Sequence, residues 1–502
     1  MNQAYIISRG TEEFAPAREQ FAVIVAQMQS AAVLGMEHGE VEKLVLREGT
    51  ELLRRLLQAH FDLRTGREKR EAGVRGADGV MRSQVRQGCR RRLESLFGGV
   101  EVRRCGYSAP EEGSLFPLDG ELNLPKDSYS HGLRERLASE VARGSFDEAV
   151  RAIETTTGGK IPKRQAEELT AKVSQDFEAF YETRAGQGAE ETLDPLVLSE
   201  DGKGIVMRRE DLREGTKRAA ERESHKLKTR LSPGEKRNRK RMATVAAVYS
   251  VERQVRTPES VMGVTKEEDA QKPRARNKRV WASVERSPEQ VTEEVFQEAL
   301  RRDPERERPW LMLVDGHEEQ LGQIRAAIDR HGVEVTLVLD FIHVLEYLWK
   351  AAWCFFVPGC EAVEAWVGER ALQILRGKAR DVAAGMRRSA TLRYLSQDQR
   401  KAVDSCADYL LKYHEMLRYD RYLAEGFPIA TGVIEGACRH LVKDRMDITG
   451  ARWGLRSAEA VLKLRSIDSS GDTEPYWAFH KAQEHERNHR SRMASDLFEE
   501  AA

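Results

Sequence analysis

The sequence predicts a multidomain α/β protein, mainly helical in its N-terminal half and built from alternating strands and helices in its C-terminal half. Three observations lead there. The 502 residues exceed what one hydrophobic core organises, and 40% of them are apolar. Near the N-terminus apolar residues recur at helical spacing, as in Leu44, Leu52, Leu53, Leu56 and Leu57. Beyond a polar Gly/Glu linker at 186–191, short apolar runs that end in acidic residues read as buried strands.

Taken in order, residues 1–75 form a helical region and 76–130 a small β-containing module. In that module Val100 and Val102 alternate with charges, and Phe116-Pro117-Leu118 and Leu124-Pro125 mark turns. Helix returns over 131–185: Ser145 suits the N-cap of a helix from Phe146, Thr157-Gly158-Gly159 a turn, and 162–173 a second helix. A helix, a Gly-containing turn and a helix opening with Lys163, Arg164 and Gln165 meet the needs of a DNA-binding helix-turn-helix, and equally those of an ordinary helical hairpin.

The first part of a core follows over 192–345. Leu196-Val197-Leu198 reads as a strand closed by Asp201, with Ile205-Val206-Met207 continuing the apolar run. A very basic helical insert at 209–241 contains Lys236, Arg237, Arg239 and Lys240. Strands are expected at 244–251, 280–284 and 310–314, the last ending at Asp315-Gly316; a helix at 318–331 and a strand at 335–339 ending at Asp340 come next. Residues 346–424 read as a large helical insertion, 425–470 as the final part of the core with an amphipathic helix at 431–446, and 471–502 as a charged tail without a clear core.

Lys+Arg and Asp+Glu both number 82, so net charge points to no partner and only local clusters of basic residues do. No apolar run approaches the roughly 20 residues that span a bilayer, and residues 1–13 lack the features of a secretion signal, so no membrane partner and a cytoplasmic location are expected. The six cysteines include no Cys-x-x-Cys pair, which suits reduced structural thiols.

Asp201 and Asp315, each beside an apolar strand, and Glu435 on a helix give three carboxylates that a mixed α/β core brings together. A carboxylate against a buried strand is costly unless water, metal or a cation compensates it. Converging carboxylates suit hard divalent cations, and two Mg²⁺ ions about 4 Å apart serve the attacking and leaving oxygens of an in-line phosphoryl displacement. The plain alternative is that an Asp-Gly is a turn and a helical Glu a solvated face. Glu435 sits at the edge of the apolar face marked by Val433, Ile434, Ala437, Cys438, Leu441 and Val442, one turn from Arg439.

The stretch Val433-Ile434-Glu435-Gly436-Ala437-Cys438-Arg439-His440-Leu441-Val442-Lys443-Asp444-Arg445-Met446, followed by Gly450-Ala451-Arg452-Trp453, resembles the glutamate motif of bacterial insertion-sequence DDE transposases of the Kra type. So do Leu198-Ser199-Glu200-Asp201-Gly202-Lys203-Gly204, the basic block through Lys236-Arg237-Asn238-Arg239-Lys240, and Leu339-Asp340-Phe341-Ile342-His343. The resemblance runs through nearly the whole chain, including Phe116-Pro117-Leu118-Asp119 and Ser145-Phe146-Asp147-Glu148-Ala149.

That resemblance implies an RNase H-like catalytic core, a mixed sheet flanked by helices, with a DDE triad and two Mg²⁺ (or Mn²⁺) ions. It also implies binding to the terminal inverted repeats of the element and to target DNA, with strand cleavage followed by strand transfer. Asp201 matches the first acid and Glu435 the third. Asp315 and Asp340 compete for the second: in the related Mutator-like and hAT-like pattern Asp340 and His343 fit a later, supporting motif, and in an RNase H-like sheet the strand ending at the second Asp lies beside the first strand, which favours Asp315. His343 is equally well a satisfied core histidine.

Candidate DNA contacts are Lys163, Arg164, Gln165, Lys236, Arg237, Arg239, Lys240, Arg439, Arg452 and Trp453. Trp453 suits either a displaced base or the core. Joining two DNA ends takes at least two active sites, so a homo-oligomer on DNA is expected. Two alternatives stay open: a nuclease on the same core that cuts without joining, and a sequence-specific DNA-binding protein whose transposase site has decayed.

Overall fold

The computed structural model describes residues 12–184, 189–222, 227, 237–263, 274–448 and 450–494. Lys236 and the Arg237 side chain lie outside the described residues. The chain divides into two compact units, residues 1–180 with 473–502, and residues 181–472. Among the described residues no helix is long and apolar enough to cross a membrane.

In the first unit the helices Ala15–Gln29 and His38–Arg67 pack together, and the second of them lies on a three-stranded antiparallel sheet. After a two-residue hairpin pair, β1 (Val74–Arg75) and β2 (Met81–Arg82), that sheet comprises β3 (Gln84–Ser95), β4 (Gly98–Ala109) and β5 (Glu112–Leu115) in this order. Alternation along β3 and β4 turns Leu93, Val100 and Val102 onto Phe61 of the long helix, which closes a core with Leu118 and Leu124. The helix Phe146–Thr156 starts at the expected Ser145 cap, in a full capping box with Glu148. Helix Lys163–Val173 follows after Pro162 and buries Ala166, Leu169, Thr170 and Val173.

The charged C-terminal segment departs from expectation. It forms a helix, Thr473–Asn488, which buries Tyr476, Trp477, His480 and Glu484 within the first unit. Its charges are partnered: Arg134, 1% exposed, bonds Glu484 at 3.1 Å and Asp127 at 2.6 Å, and Asp176 pairs His480 at 2.6 Å and Arg487 at 2.8 Å. Ion pairing lets a polar-looking segment lie on a core.

The second unit is mixed α/β. Its five strands are β6 (Leu196–Val206), β7 (Lys240–Val251), β8 (Ala275–Ser283), β9 (Trp310–Val314) and β10 (Val335–Leu339), ordered β10-β9-β6-β7-β8 across the sheet. The pairs β6–β7 and β7–β8 are antiparallel, whereas β9 runs parallel to β6 and β10 parallel to β9. Nearly every residue from Ala243 to Val251 on β7 is buried, as in a strand covered on both faces. Helix Pro288–Arg302 packs on β6 and β7, helix Leu455–Ser470 on β8, and the short helix Gly432–Ala437 on β6, β7 and β8. Between β10 and that short helix stand Phe341–Ala352, Ala362–Leu375, Ala379–Leu392, Gln397–Lys412 and Tyr419–Ala424, an almost wholly helical block.

Candidate active site

Two expectations about local geometry need correction. Asp201 does not end a strand: β6 runs on to Val206, with Asp201 opposite Val245, Gly202 opposite Thr244 and Gly204 opposite Met242. Ladder pairing overrides the turn-like Gly-Lys-Gly sequence, as tertiary context does for weak local propensities. The expected single helix at 431–446 is three consecutive pieces, Gly432–Ala437, a π-helical turn Cys438–Lys443 and Asp444–Met446. The wider turn keeps Cys438, Leu441 and Val442 buried.

Period-two alternation on β6 sends adjacent acids to opposite faces of the sheet. Glu200 points to the helices Pro288–Arg302 and Glu318–His331, where its Oε2 accepts from Thr292 Oγ1 at 3.0 Å. Asp201 points to the other face, where its Oδ2 accepts from the Cys438 thiol at 3.0 Å. Burial, and then the Asp201 charge, push the Cys438 thiol far up, so it stays protonated and donates. Cys438 is three residues beyond Glu435, so this bond docks the helix of Glu435 onto the strand of Asp201.

Glu435 is solvent-exposed. Its carboxyl is nonetheless raised, by partial burial first and then by the charges of Asp340, Glu346 and Asp201, against the lowering effect of His343. Asp315, directly after β9, is half-buried, and its charge raises the His343 imidazole after the bond and charge of Asp340. Asp315 Oδ1 accepts from the His317 N–H at 2.8 Å in a tight turn. Two tyrosines of Gln397–Lys412 hold that turn: Tyr409 donates to the Asp315 carbonyl at 2.7 Å and, just past the helix end, Tyr413 to the Gly316 carbonyl at 2.6 Å. Gly316 has φ +91°, and a Cβ there would lie 3.0 Å from Tyr413 and 3.1 Å from Tyr409, so only glycine fits.

Asp340 is of another kind. It is 1% exposed and caps Phe341–Ala352, with Oδ1 accepting from the Ile342 N–H at 2.9 Å and Oδ2 bonded by His343 Nδ1 at 3.1 Å and the Thr431 hydroxyl. Together with the Phe341 N–H bond to the Ile429 carbonyl at 2.9 Å, this ties the start of one helix to the segment entering the Glu435 helix. Both oxygens are occupied. Asp340→Ala is expected to lower the stability of the full chain by about 2–4 kcal/mol, the sum of a lost cap and orphaned buried donors. Urea unfolding checks this, and a loss under about 0.5 kcal/mol would show the cap to be dispensable.

Among the described residues no group of three or more His, Cys, Asp or Glu side chains is drawn together closely enough to hold a metal ion. Asp201, Asp315 and Glu435 form no such group. Cavities of about 540 and 560 Å³ lie in the first unit.

Glu200 illustrates the cost of an acid on the closed face. Burial pushes its carboxyl up to about 7, and Oε1 has no hydrogen-bond partner. The unfolded chain releases this proton near pH 4.3, so folding stability is complete below about pH 4 and falls as pH rises to about 7, by up to roughly 3 kcal/mol. Glu200→Gln is expected to remove that decline, read as the difference in urea midpoint between pH 5 and pH 8. An equal decline in wild type and variant would refute the assignment.

The candidate DNA contacts divide by environment. Lys163 pairs Asp147 at 2.7 Å, while Arg164 and Gln165 both bond Glu168, at 3.3 and 3.2 Å. Arg439 lies 3.6 Å from Asp444 and is 71% exposed. Lys240 and Arg239 are half-buried, and Arg452 is exposed. Trp453 requires a correction: it is 6% exposed, donates its indole N–H to the Met446 carbonyl at 3.0 Å, and lies under Arg445 at 4.7 Å. It is core, with its backbone pairing the end of β6, and offers no free face to a base.

Sequence reasoning missed Cys438 and Thr431 as the groups that hold Asp201 and Asp340. The one signal for either was the position of Cys438 on the apolar face three residues after Glu435. No protein-family model matches the chain, and no curated protein matches it.

Proposed function

We propose that the chain is a DDE-type DNA transposase that binds the terminal inverted repeats of its insertion sequence and performs metal-dependent strand cleavage and strand transfer. The observation that carries the reading is the Cys438–Asp201 hydrogen bond, which sets Glu435 beside Asp201 from 234 positions away in the sequence. The sheet order supports an RNase H-like core: β9, which leads to Asp315, lies beside β6, and β10 lies outside it. Asp201, Asp315 and Glu435 are therefore assigned as the triad, with Asp340 and His343 as positioning residues.

The oxygen donors of the triad suit Mg²⁺ or Mn²⁺, and a cation would offset the Asp201 charge, which adds to burial and to the charges of Asp340 and Glu346 in raising Glu435. Bound there, a pair of such ions would supply charge stabilisation to the attacking and leaving oxygens of a phosphodiester. The chain's own contribution is placement. Cys438 orients Asp201, the tyrosine-held turn orients Asp315, and the Asp340–Thr431 tie sets the angle of the Glu435 helix. In the proposed reaction water attacks the phosphodiester at the element end, and the freed 3′-OH then attacks target DNA in the same site, acting within a homo-oligomer. Exposed Arg439 and Arg452, with Lys240 and Arg239, are assigned to DNA near the acids. The helix-turn-helix reading of Lys163, Arg164 and Gln165 draws less support, because these side chains are bonded to acids.

The test uses the full chain with a duplex carrying the terminal sequences of the element that encodes it. Joined products in Mg²⁺ that vanish with EDTA are expected. Cutting without joining would favour a nuclease on the same core, and tight repeat binding indifferent to Mg²⁺ without any cutting would mean a decayed site.

A further inference from the structure

In the first unit a cavity of about 540 Å³ is lined by Arg90, Arg91, Arg104, Lys126, Arg487 and Arg492, with Asp119 the acid among its lining residues. Its electrostatics are unbalanced by construction. Arg91 and Arg104 share Asp119, with Arg91 Nη1 at 2.8 Å from Oδ2 and Arg104 Nε at 2.5 Å from Oδ1. Arg90 and Arg103, directly opposite one another on β3 and β4, share Glu101, at 3.8 and 3.0 Å. Lys126 and Arg492 are exposed and have no ion-pair partner among the described residues. Arg90, Arg91, Arg103, Arg104, Lys126 and Arg492 thus stand against the two carboxylates of Asp119 and Glu101. Nearby acids bring no relief, since Asp127 is taken by Arg134 and Lys172, at 2.6 and 3.1 Å, and Asp176 and Glu484 hold Arg487.

Such an arrangement costs stability unless something anionic occupies it. Like charges opposite one another on adjacent strands repel. Arg104 is only 7% exposed, and burial lowers the affinity of its guanidinium for its proton. His489 adds no positive charge, because burial depresses it while Nε2 donates to the Leu124 carbonyl at 2.8 Å. An apolar ligand has no place among guanidiniums, whereas their planar forks match the oxygens of a phosphate.

The excess also extends beyond one cavity. Arg86, Arg90 and Arg92 are exposed along β3, and Arg92 lines a second cavity of about 560 Å³ together with Arg54 and Lys160. Side chains on one face of a strand, such as Arg90 and Arg92, recur about every 6.6 Å, roughly twice the 3.4 Å axial spacing of phosphates along one nucleic-acid strand. A regularly charged polymer fits a row of cations better than a single ion does.

We propose that this arginine-lined cavity beside β3 and β4 is a phosphate-binding site that takes the phosphodiester backbone of duplex DNA. The choice of DNA rests on the reading of the second unit as a transposase. The site would position DNA without reading its sequence.

The experiment measures binding of the full chain to a labelled random-sequence duplex by fluorescence anisotropy across a salt series. The comparison is the Lys126→Gln/Arg492→Gln double variant, whose side chains are exposed and support no ion pair among the described residues. The slope of log affinity against log salt is expected to fall in magnitude by about 2 in the variant, near 0.9 for each phosphate that is no longer neutralised. Binding to a random duplex needs no strand cleavage, so failure of the catalytic reading leaves this result standing. An unchanged slope in the double variant would overturn the inference while leaving the transposase reading intact. Absence of wild-type binding to any duplex would overturn both. Calorimetry with pyrophosphate supplies the other arm: pyrophosphate binding lost in the double variant, with duplex binding unaltered, would identify a free phosphate as the ligand and refute the polymer.

Discussion

Asp201→Asn and Glu435→Gln are each expected to reduce strand cleavage on the order of 10³-fold or more, about 4 kcal/mol of barrier, while leaving duplex affinity and the unfolding midpoint near wild type. Both substitutions preserve shape and remove a charged oxygen donor. Asn at 201 still accepts from the Cys438 thiol, so the helix of Glu435 keeps its mooring on β6. Asp315→Asn should behave alike, because its side chain supports only the turn at His317. Asp340→Asn, by contrast, should lower stability, since its oxygens hold Thr431, His343 and the Ile342 N–H. Cleavage rates within about threefold of wild type for Asp201→Asn would remove the catalytic reading of this face.

The largest stability effect is expected at Glu298, far from that chemistry. Glu298 is 3% exposed and meets Arg279 at 2.6 Å, Arg301 at 2.5 Å and Arg302 at 2.7 Å. Burial pushes its carboxyl up, and the three guanidiniums outweigh this and hold it well below its usual range. Removing it leaves Arg302, itself 3% exposed, with Glu190 at 3.3 Å as its remaining acidic partner. Glu298→Ala should therefore cost about 3–5 kcal/mol, the usual penalty for breaking a buried ionic network from one side. Guanidinium chloride is unsuitable as the denaturant because it screens charge; urea titration of the full chain at pH 7 serves. A loss below about 1 kcal/mol would mean that water replaces the carboxylate freely.

How legible these features are in the sequence depends on how local their causes are. Trp310–Val314 is apolar throughout and buried throughout, so period and composition agree and the strand is read directly. The capping box at Ser145 is equally local. Asp201 reads as a strand end because Gly202, Lys203 and Gly204 interrupt the apolar run that Ile205 and Val206 resume, and pairing with β7, some forty positions away, carries the strand through them. The helix Thr473–Asn488 is hidden by its charges, whose partners Arg134 and Asp176 lie in distant parts of the chain. The three acids are nameable from motif and strand position. Their supports are not, because a thiol 237 positions from Asp201 carries no local mark of that contact. The arginines of β3 and β4 read as an ordinary solvated strand, since the sharing of one carboxylate between two guanidiniums exists only after the strands pair.

The tyrosine pair above Gly316 changes what the helical block between β10 and the Glu435 helix is. Tyr409 and Tyr413 grip the backbone of the Asp315 turn by its carbonyls, and Tyr409 in turn stacks on Tyr347 with ring centroids 4.1 Å apart. A segment that looks interposed in the chain has thus become a bracket for the turn it surrounds. Shortening or grafting it would release the Asp315 backbone along with it, so the block is not an interchangeable cassette, and its boundaries are poor places to cut the protein into parts.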